Sequence, residues 1–179
     1  PQMLPKPLNR ELCITMDMPY ITIGILGSGQ LGRMLAMAAA QLGIKTHIFA
    51  PDANSSPAGE MASTATTAAY DDYTALEQFA ASVDVITSEF ENVPSETMAH
   101  LAQFRPVSPG TKALHIAQHR VREKNFACQQ GIPTPDFWHV TDAASLHRAM
   151  AQLQGRGVLK KCQLGYDGKG QIWIDPSDD

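Results

Sequence analysis

The segment Val158-Leu159-Lys160-Lys161-Cys162-Gln163-Leu164-Gly165-Tyr166-Asp167-Gly168-Lys169-Gly170-Gln171 places a lysine at the end of an apolar run, five residues before a glycine-rich loop. These residue types suit a polyphosphate. Gly165, Gly168 and Gly170 let the backbone take positive φ and turn its N–H groups toward phosphate oxygens, while Lys160 and Lys169 add positive charge. The pattern is one that holds ATP, with Lys160, Gly165, Tyr166, Asp167, Gly168, Lys169, Gly170 and Gln171 as its candidates. Asp167-Gly168 between apolar runs is also a β-hairpin signal. The two readings are compatible, because a hairpin tip can serve as a phosphate lid.

A second glycine cluster, Gly27-Ser28-Gly29-Gln30-Leu31-Gly32, follows the β-branched run from Tyr20 to Leu26 and leads into the alanine-rich stretch Met34 to Leu42. Strand, tight turn and helix in that order aim a helix N-terminus at an anion. This cluster also permits a nicotinamide-dinucleotide reading, with Asp52 about 20 residues after the last glycine as the ribose ligand. Asp52 follows Pro51 and opens the polar turn Asp52-Ala53-Asn54-Ser55-Ser56-Pro57, which is not the strand end where a ribose would meet it.

Glu89 and Glu91 flank Phe90 after an apolar strand, at the carboxyl edge where open parallel sheets bind ligands. Such a pair can hold an amine or a ribose hydroxyl, with solvation of a turn as the alternative. His115 and His119 stand four apart, the spacing of a two-histidine metal face, but without a third ligand or an intervening glutamate they read as solvent-facing. No Gly-x-Ser-x-Gly elbow or Cys-His pairing points to a side-chain nucleophile.

Five motifs in register resemble the N5-carboxyaminoimidazole ribonucleotide synthetase family of ATP-grasp enzymes. They are Gly27 to Leu35, Ser88-Glu89-Phe90-Glu91-Asn92-Val93, Ile116 to Lys124, Gly131-Ile132-Pro133-Thr134, and Gly165 to Gln171. The resemblance implies a Rossmann-like pre-ATP-grasp domain followed by the opening of an ATP-grasp domain. It implies phosphoryl transfer from MgATP to bicarbonate, then carboxylation of aminoimidazole ribonucleotide in purine biosynthesis. By the same resemblance Lys160 and Arg120 bind ATP, with Arg122 and Lys124 competing for the role of Arg120. Gly29, Gln30, Leu31 and Glu89 meet the ribonucleotide, and the magnesium ligands lie downstream, with no metal site in this segment. Members of the family are about twice as long and commonly dimeric, so the chain reads as an N-terminal fragment. Two departures stand out: Ser28 replaces a glycine or asparagine, and Lys161-Cys162-Gln163 replaces a stretch that often carries arginine.

Hydrophobic content of 44% and a formal net charge of −4 fit a soluble globular protein and provide no basic patch for nucleic acid. The longest apolar stretches fall short of the ~20 residues of a membrane span. Cys13, Cys128 and Cys162, odd in number and far apart, predict reduced thiols in the cytoplasm. Residues 1–19 read as a disordered leader or tag, without a secretory h-region.

Alternating strands and helices must position these groups on the open parallel sheet of an α/β domain. Ile21 to Leu26, Lys45 to Phe49 and Val83 to Thr87 read as buried strands, and Ala62 to Ala69 as an edge strand. Met34 to Leu42, Thr74 to Ala81 and Ser95 to Phe104 read as helices, closing a first domain over 20–110. Thr111 to Gln130 reads as one or two helices opening a second domain over 111–179. Beyond it come a strand Phe137 to Val140, a helix Asp142 to Leu153 and a strand Gly157 to Lys161. The truncated second domain is expected to expose part of its apolar face. Two rival functions remain: a nicotinamide-dependent oxidoreductase, which leaves the 166–171 loop without a role, and a non-catalytic association module.

Overall fold

The structure, a computed structural model, describes residues 20–153, 155–165 and 168–175. The leader reading, Cys13, Tyr166 and Asp167 fall outside the described residues. β1 (Thr22–Leu26), β2 (Lys45–Ala50), β3 (Thr64–Thr67) and β4 (Val85–Ser88) form a parallel sheet in the order β3-β2-β1-β4. Register is set by pairs such as Ile25 with Ile48 and with Thr87. The threonine-rich segment does supply an edge strand, and Val107 adds a single parallel bridge to Ile86 on the opposite side.

Two apolar clusters cover the sheet. Leu26, Phe49 and Ile86 pack with Leu76, Phe79 and Ala80 of α2 (Tyr73–Ala81) and Met98 and Leu101 of α3 (Ser95–Leu101). Ile25, Ile48 and Ala50 pack instead with Ala53 and Ala58. Successive residues of each strand thus feed opposite faces, as the pleat requires. Leu114 of α4 (Thr111–Ala117) joins the first cluster, so this helix packs onto the sheet domain.

The 111–130 stretch resolves into two helices, α4 and α5 (Arg120–Gln129), broken at Gln118 and His119. α6 (Ala143–Met150) starts in a reciprocal capping box: Asp142 accepts the Ser145 N–H at 2.7 Å, and Ser145 Oγ accepts the Asp142 N–H at 3.0 Å. β5 (Gly157–Lys160) and β6 (Gln171–Ile174) form an antiparallel hairpin around the glycine loop. Among the described residues, no helix is long and apolar enough to cross a membrane.

Two expectations need correction. Helix α1 (Gln30–Gln41) begins four residues before Met34 and runs through Gly32. A Cβ there would lie 3.0 Å from the Ala58 Cβ and 3.2 Å from the Glu89 Cγ, so the glycine permits close packing and does not break the helix. Phe137 to Val140 is not a strand. Its side chains pack as a coil: Trp138 Nε1 donates to Gln152 Oε1 at 2.9 Å, and the Lys124 ammonium lies 5.8 Å from the Phe137 ring centre.

Candidate functional site

The hairpin and the start of α5 enclose a cavity of about 220 Å³ lined by Arg120, Lys160, Lys161, Gly165, Gly168, Lys169, Gly170 and Gln171. Seven of the nine residues read from sequence as ATP ligands meet here, and Tyr166 and Asp167 lie outside the described residues. Among the described residues that line the space, four side chains are cationic and none is a carboxylate, so together they favour an anion. Lys161 belongs to the lining as well, which restores charge beside Lys160. Its stem packs against Gly170, where φ is +72° and a Cβ would lie 2.8 Å from the Lys161 Cδ. The Lys161 N–H donates to the Gly170 carbonyl at 2.9 Å, closing the hairpin behind the loop.

Arg120 reaches this cavity because α5 is tied to the hairpin: its backbone N–H donates to the Cys162 carbonyl at 2.9 Å. Its Nε is buried without a partner, a donor that an incoming oxyanion could satisfy. The other two cations of the stretch have different neighbours. Arg122 Nη1 donates to His115 Nε2 at 3.1 Å, and Lys124 lies against Phe137. Because arginine only donates, His115 presents an unprotonated Nε2 there. His119 is half-buried, with its ring 6.2 Å from that of His139, so the solvent-facing reading fails for it. The break between α4 and α5 turns it inward. Among the described residues, no three His, Cys, Asp or Glu side chains converge on a point that could hold a metal ion.

At the carboxyl edge of the sheet, Glu89 Oε1 accepts the Gly29 N–H at 2.7 Å. Gly29 is the N-cap of α1, so a carboxylate sits on the positive end of that helix. Gly27 makes the approach possible: its φ is +106°, and a Cβ would stand 2.7 Å from Glu89 Oε1 and 2.9 Å from the Phe90 Cβ. Gln30 and Leu31 open α1 beside this contact and are exposed. Ser28 Oγ donates to Asp52 Oδ1 at 2.6 Å. Tyr70, which sequence reasoning missed, has its hydroxyl pushed up to about 12, by burial first and then by the negative charges of Asp52 and Glu89. Its only signal in the chain is its place just past the edge strand β3.

The dinucleotide reading loses both anchors here. Asp52 is engaged by Ser28, and the Glu89 carboxylate holds the N–H that a pyrophosphate would need and would repel it.

Residues 20–118 match the ribonucleotide synthetase preATP-grasp domain, and residues 125–179 match the ATP-grasp domain. The N5-carboxyaminoimidazole ribonucleotide synthase of Brucella melitensis is 49% identical over 161 residues, 90% of this chain and 44% of that protein. The crystal structure of N5-carboxyaminoimidazole synthetase from Staphylococcus aureus complexed with ADP is 34% identical with a TM-score of 0.82, over 87% of this chain and 41% of that one. That of the Aspergillus clavatus N5-carboxyaminoimidazole synthase in complex with ADP and 5-aminoimidazole ribonucleotide is 25% identical with a TM-score of 0.74, again over 87% and 41%. The chain therefore spans less than half the length of these relatives. With the sheet domain matched over more than half of its residues and the ATP-grasp domain following in order, the chain belongs to the ribonucleotide synthetase preATP-grasp family.

Proposed function

We propose that the protein containing these residues is an ATP-grasp ligase that carboxylates 5-aminoimidazole ribonucleotide with bicarbonate in purine biosynthesis. The observation that carries this reading is the 220 Å³ cavity in which Arg120, Lys160, Lys161 and Lys169 surround the glycine hairpin. These cations hold the triphosphate as its γ-phosphoryl group passes to a bicarbonate oxygen, breaking the β–γ phosphoanhydride bond and giving carboxyphosphate. The exocyclic amine of the ribonucleotide then attacks the carboxyl carbon and expels inorganic phosphate. The chain supplies position and charge, with no side-chain nucleophile, and the hairpin tip shields the labile intermediate from water. Magnesium, when bound, would add positive charge at the transferring phosphates.

Glu89 is the ribonucleotide contact in this reading. Oε1 is held by Gly29, which leaves Oε2 to accept from the ligand's amine or a ribose hydroxyl beside Gly29, Gln30 and Leu31. The likeness to the Aspergillus protein with both ligands bound supports this division of the site. The sheet domain then covers about 20–110 and the linker helices and ATP-grasp opening 111–179. The complete protein is a cytoplasmic homodimer.

ADP release by the complete protein in bicarbonate buffer, with and without 5-aminoimidazole ribonucleotide, tests the reading: release should depend on the ribonucleotide. Lys160→Ala should weaken ATP binding about 10- to 100-fold, the size of a lost charge-assisted contact. Unchanged ATP affinity in that variant would remove Lys160 from its role.

A further inference from the structure

Gln118 sits at the joint between the two halves of the site. It is the C-cap of α4, and its own N–H donates to the Leu114 carbonyl at 2.9 Å. From there its carboxamide turns back to the loop after β4, where Nε2 donates to the Glu91 carbonyl at 2.7 Å and the Val93 carbonyl at 2.5 Å. Both amide hydrogens are thus spent on the backbone of the loop that begins with Glu89. Val93 anchors one side of the loop through its buried side chain, while Glu91 is exposed and Asn92 half-buried, and the other end is fixed by the Glu89 N–H donating to the Leu26 carbonyl at 3.0 Å. Two residues after Gln118, the Arg120 N–H donates to the Cys162 carbonyl, at the base of the glycine hairpin.

A continuous path therefore runs from the Glu89 loop through the hydrogen bonds of the Gln118 carboxamide and the α4–α5 joint to the backbone bond between Arg120 and Cys162 at the hairpin. We propose that Gln118 is a positioning residue that couples the ribonucleotide end of the site to the ATP end. This rests on the function proposed above. Gln118 does not line the cationic cavity. When the ribonucleotide settles against Glu89, the loop is drawn to one position, and through Gln118 the joint that carries Arg120 is drawn with it. A carboxylate in place of the carboxamide keeps the shape of the side chain, removes both donors and sets negative charge against two carbonyl oxygens.

The test uses the complete protein and the substitution Gln118→Glu, with Gln118→Ala as a second variant that introduces no repulsion. The KM for 5-aminoimidazole ribonucleotide should rise about tenfold, the effect of losing two neutral hydrogen bonds. ATP affinity measured without the ribonucleotide should change less than about twofold on the same scale. The stimulation of ADP release by saturating ribonucleotide should fall in both variants. A purely structural role would lower the thermal midpoint and leave that stimulation intact. Stimulation equal to that of the unaltered protein, whatever the KM, overturns the coupling while leaving the proposed function standing. ADP release that ignores the ribonucleotide in the unaltered protein overturns both.

Discussion

The two regions of this chain differ in how much of their own core they carry. Eighteen apolar side chains between Ile25 and Leu114 are buried, whereas Ala149 alone is buried among the described residues beyond them. The sheet domain closes its faces with α2, α3 and the Ala53–Ala58 segment of its own sequence, and with Leu114 of α4, the helix that follows it. The hairpin region leaves Ile172 and Trp173 64% and 61% exposed. Folding energy and candidate phosphate chemistry are therefore concentrated in different places. The sheet domain holds together through burial, and the cationic cavity sits on a scaffold held mainly by backbone bonds and a cap.

A pair of truncations would break this comparison most directly. Phe79 is 1% exposed and lies with its ring centre 5.2 Å from that of Phe49. Phe79→Ala should cost about 3–5 kcal/mol in denaturant unfolding, the range for an aromatic cavity in a packed core. Trp173→Ala, which removes an exposed ring with the Arg156 guanidinium 5.3 Å from its centre, should change the same transition by less than about 0.5 kcal/mol. Equal losses would mean that the hairpin contributes to one common core.

The same contrast explains what could be read from the chain. β1, β2 and β4 were legible because buried β-branched runs bounded by turns have few other fates. Phe137 to Val140 has the same local character, but a strand also needs a partner edge, which no local pattern specifies; here the run packs through Trp138 and Phe137 instead. The cavity was legible where its members are near neighbours, from Lys160 to Gln171. Arg120 required the family resemblance. Gln118 was out of reach, since its partners lie 27 and 25 residues away and are main-chain carbonyls with no side-chain signature.

Gly27→Ala probes the seam where the sheet domain meets the ribonucleotide end. At φ +106° an alanine is strained, and its Cβ would press on Glu89 and Phe90. The expected loss is about 1–3 kcal/mol of stability. In the complete protein, the KM for the ribonucleotide should also rise while ATP affinity holds. If stability falls without a change in that KM, the turn serves the fold alone.

Two helix caps offer a matched comparison. The Asp72 side chain accepts the Ala75 N–H at 3.0 Å at the head of α2, as Asp142 does for Ser145 at the head of α6. Asp72→Ala should lower global stability by about 1 kcal/mol, because α2 carries Leu76, Phe79 and Ala80 into the core. Asp142→Ala should instead appear as faster amide exchange within α6, with little change in global unfolding. The Ser145 N–H, and secondarily its hydroxyl, hold the Asp142 carboxyl below its usual range. Its capping support is therefore present above the ordinary aspartate value and is lost as pH falls through the lowered one. A global loss from Asp142→Ala would show that α6 belongs to the cooperative core.

The smallest effect should come from His47, a titratable group inside the sheet domain. Its Nδ1 lies 2.8 Å from Ser82 Oγ and its Nε2 2.8 Å from Thr66 Oγ1. Ser82 spends its hydroxyl hydrogen on the Phe79 carbonyl at 2.7 Å, so Ser82 can only accept from the ring. The proton therefore resides on Nδ1, and Nε2 accepts from Thr66. Burial pushes the His47 pKa down, which makes the neutral ring the folded form. Stability should be full above the unfolded histidine value, near about 6.5, and should decline as pH falls below it toward the lowered folded value. The decline is limited because Thr66 can rotate from donor to acceptor when Nε2 gains a proton, so both hydrogen bonds survive and only the burial penalty is felt. Denaturant midpoints at pH 7.5 and 5, compared between the unaltered chain and His47→Gln, would isolate it. An identical pH dependence in the two would place the acid sensitivity elsewhere, while nitrogen chemical shifts of the ring would still report whether Nδ1 carries the proton.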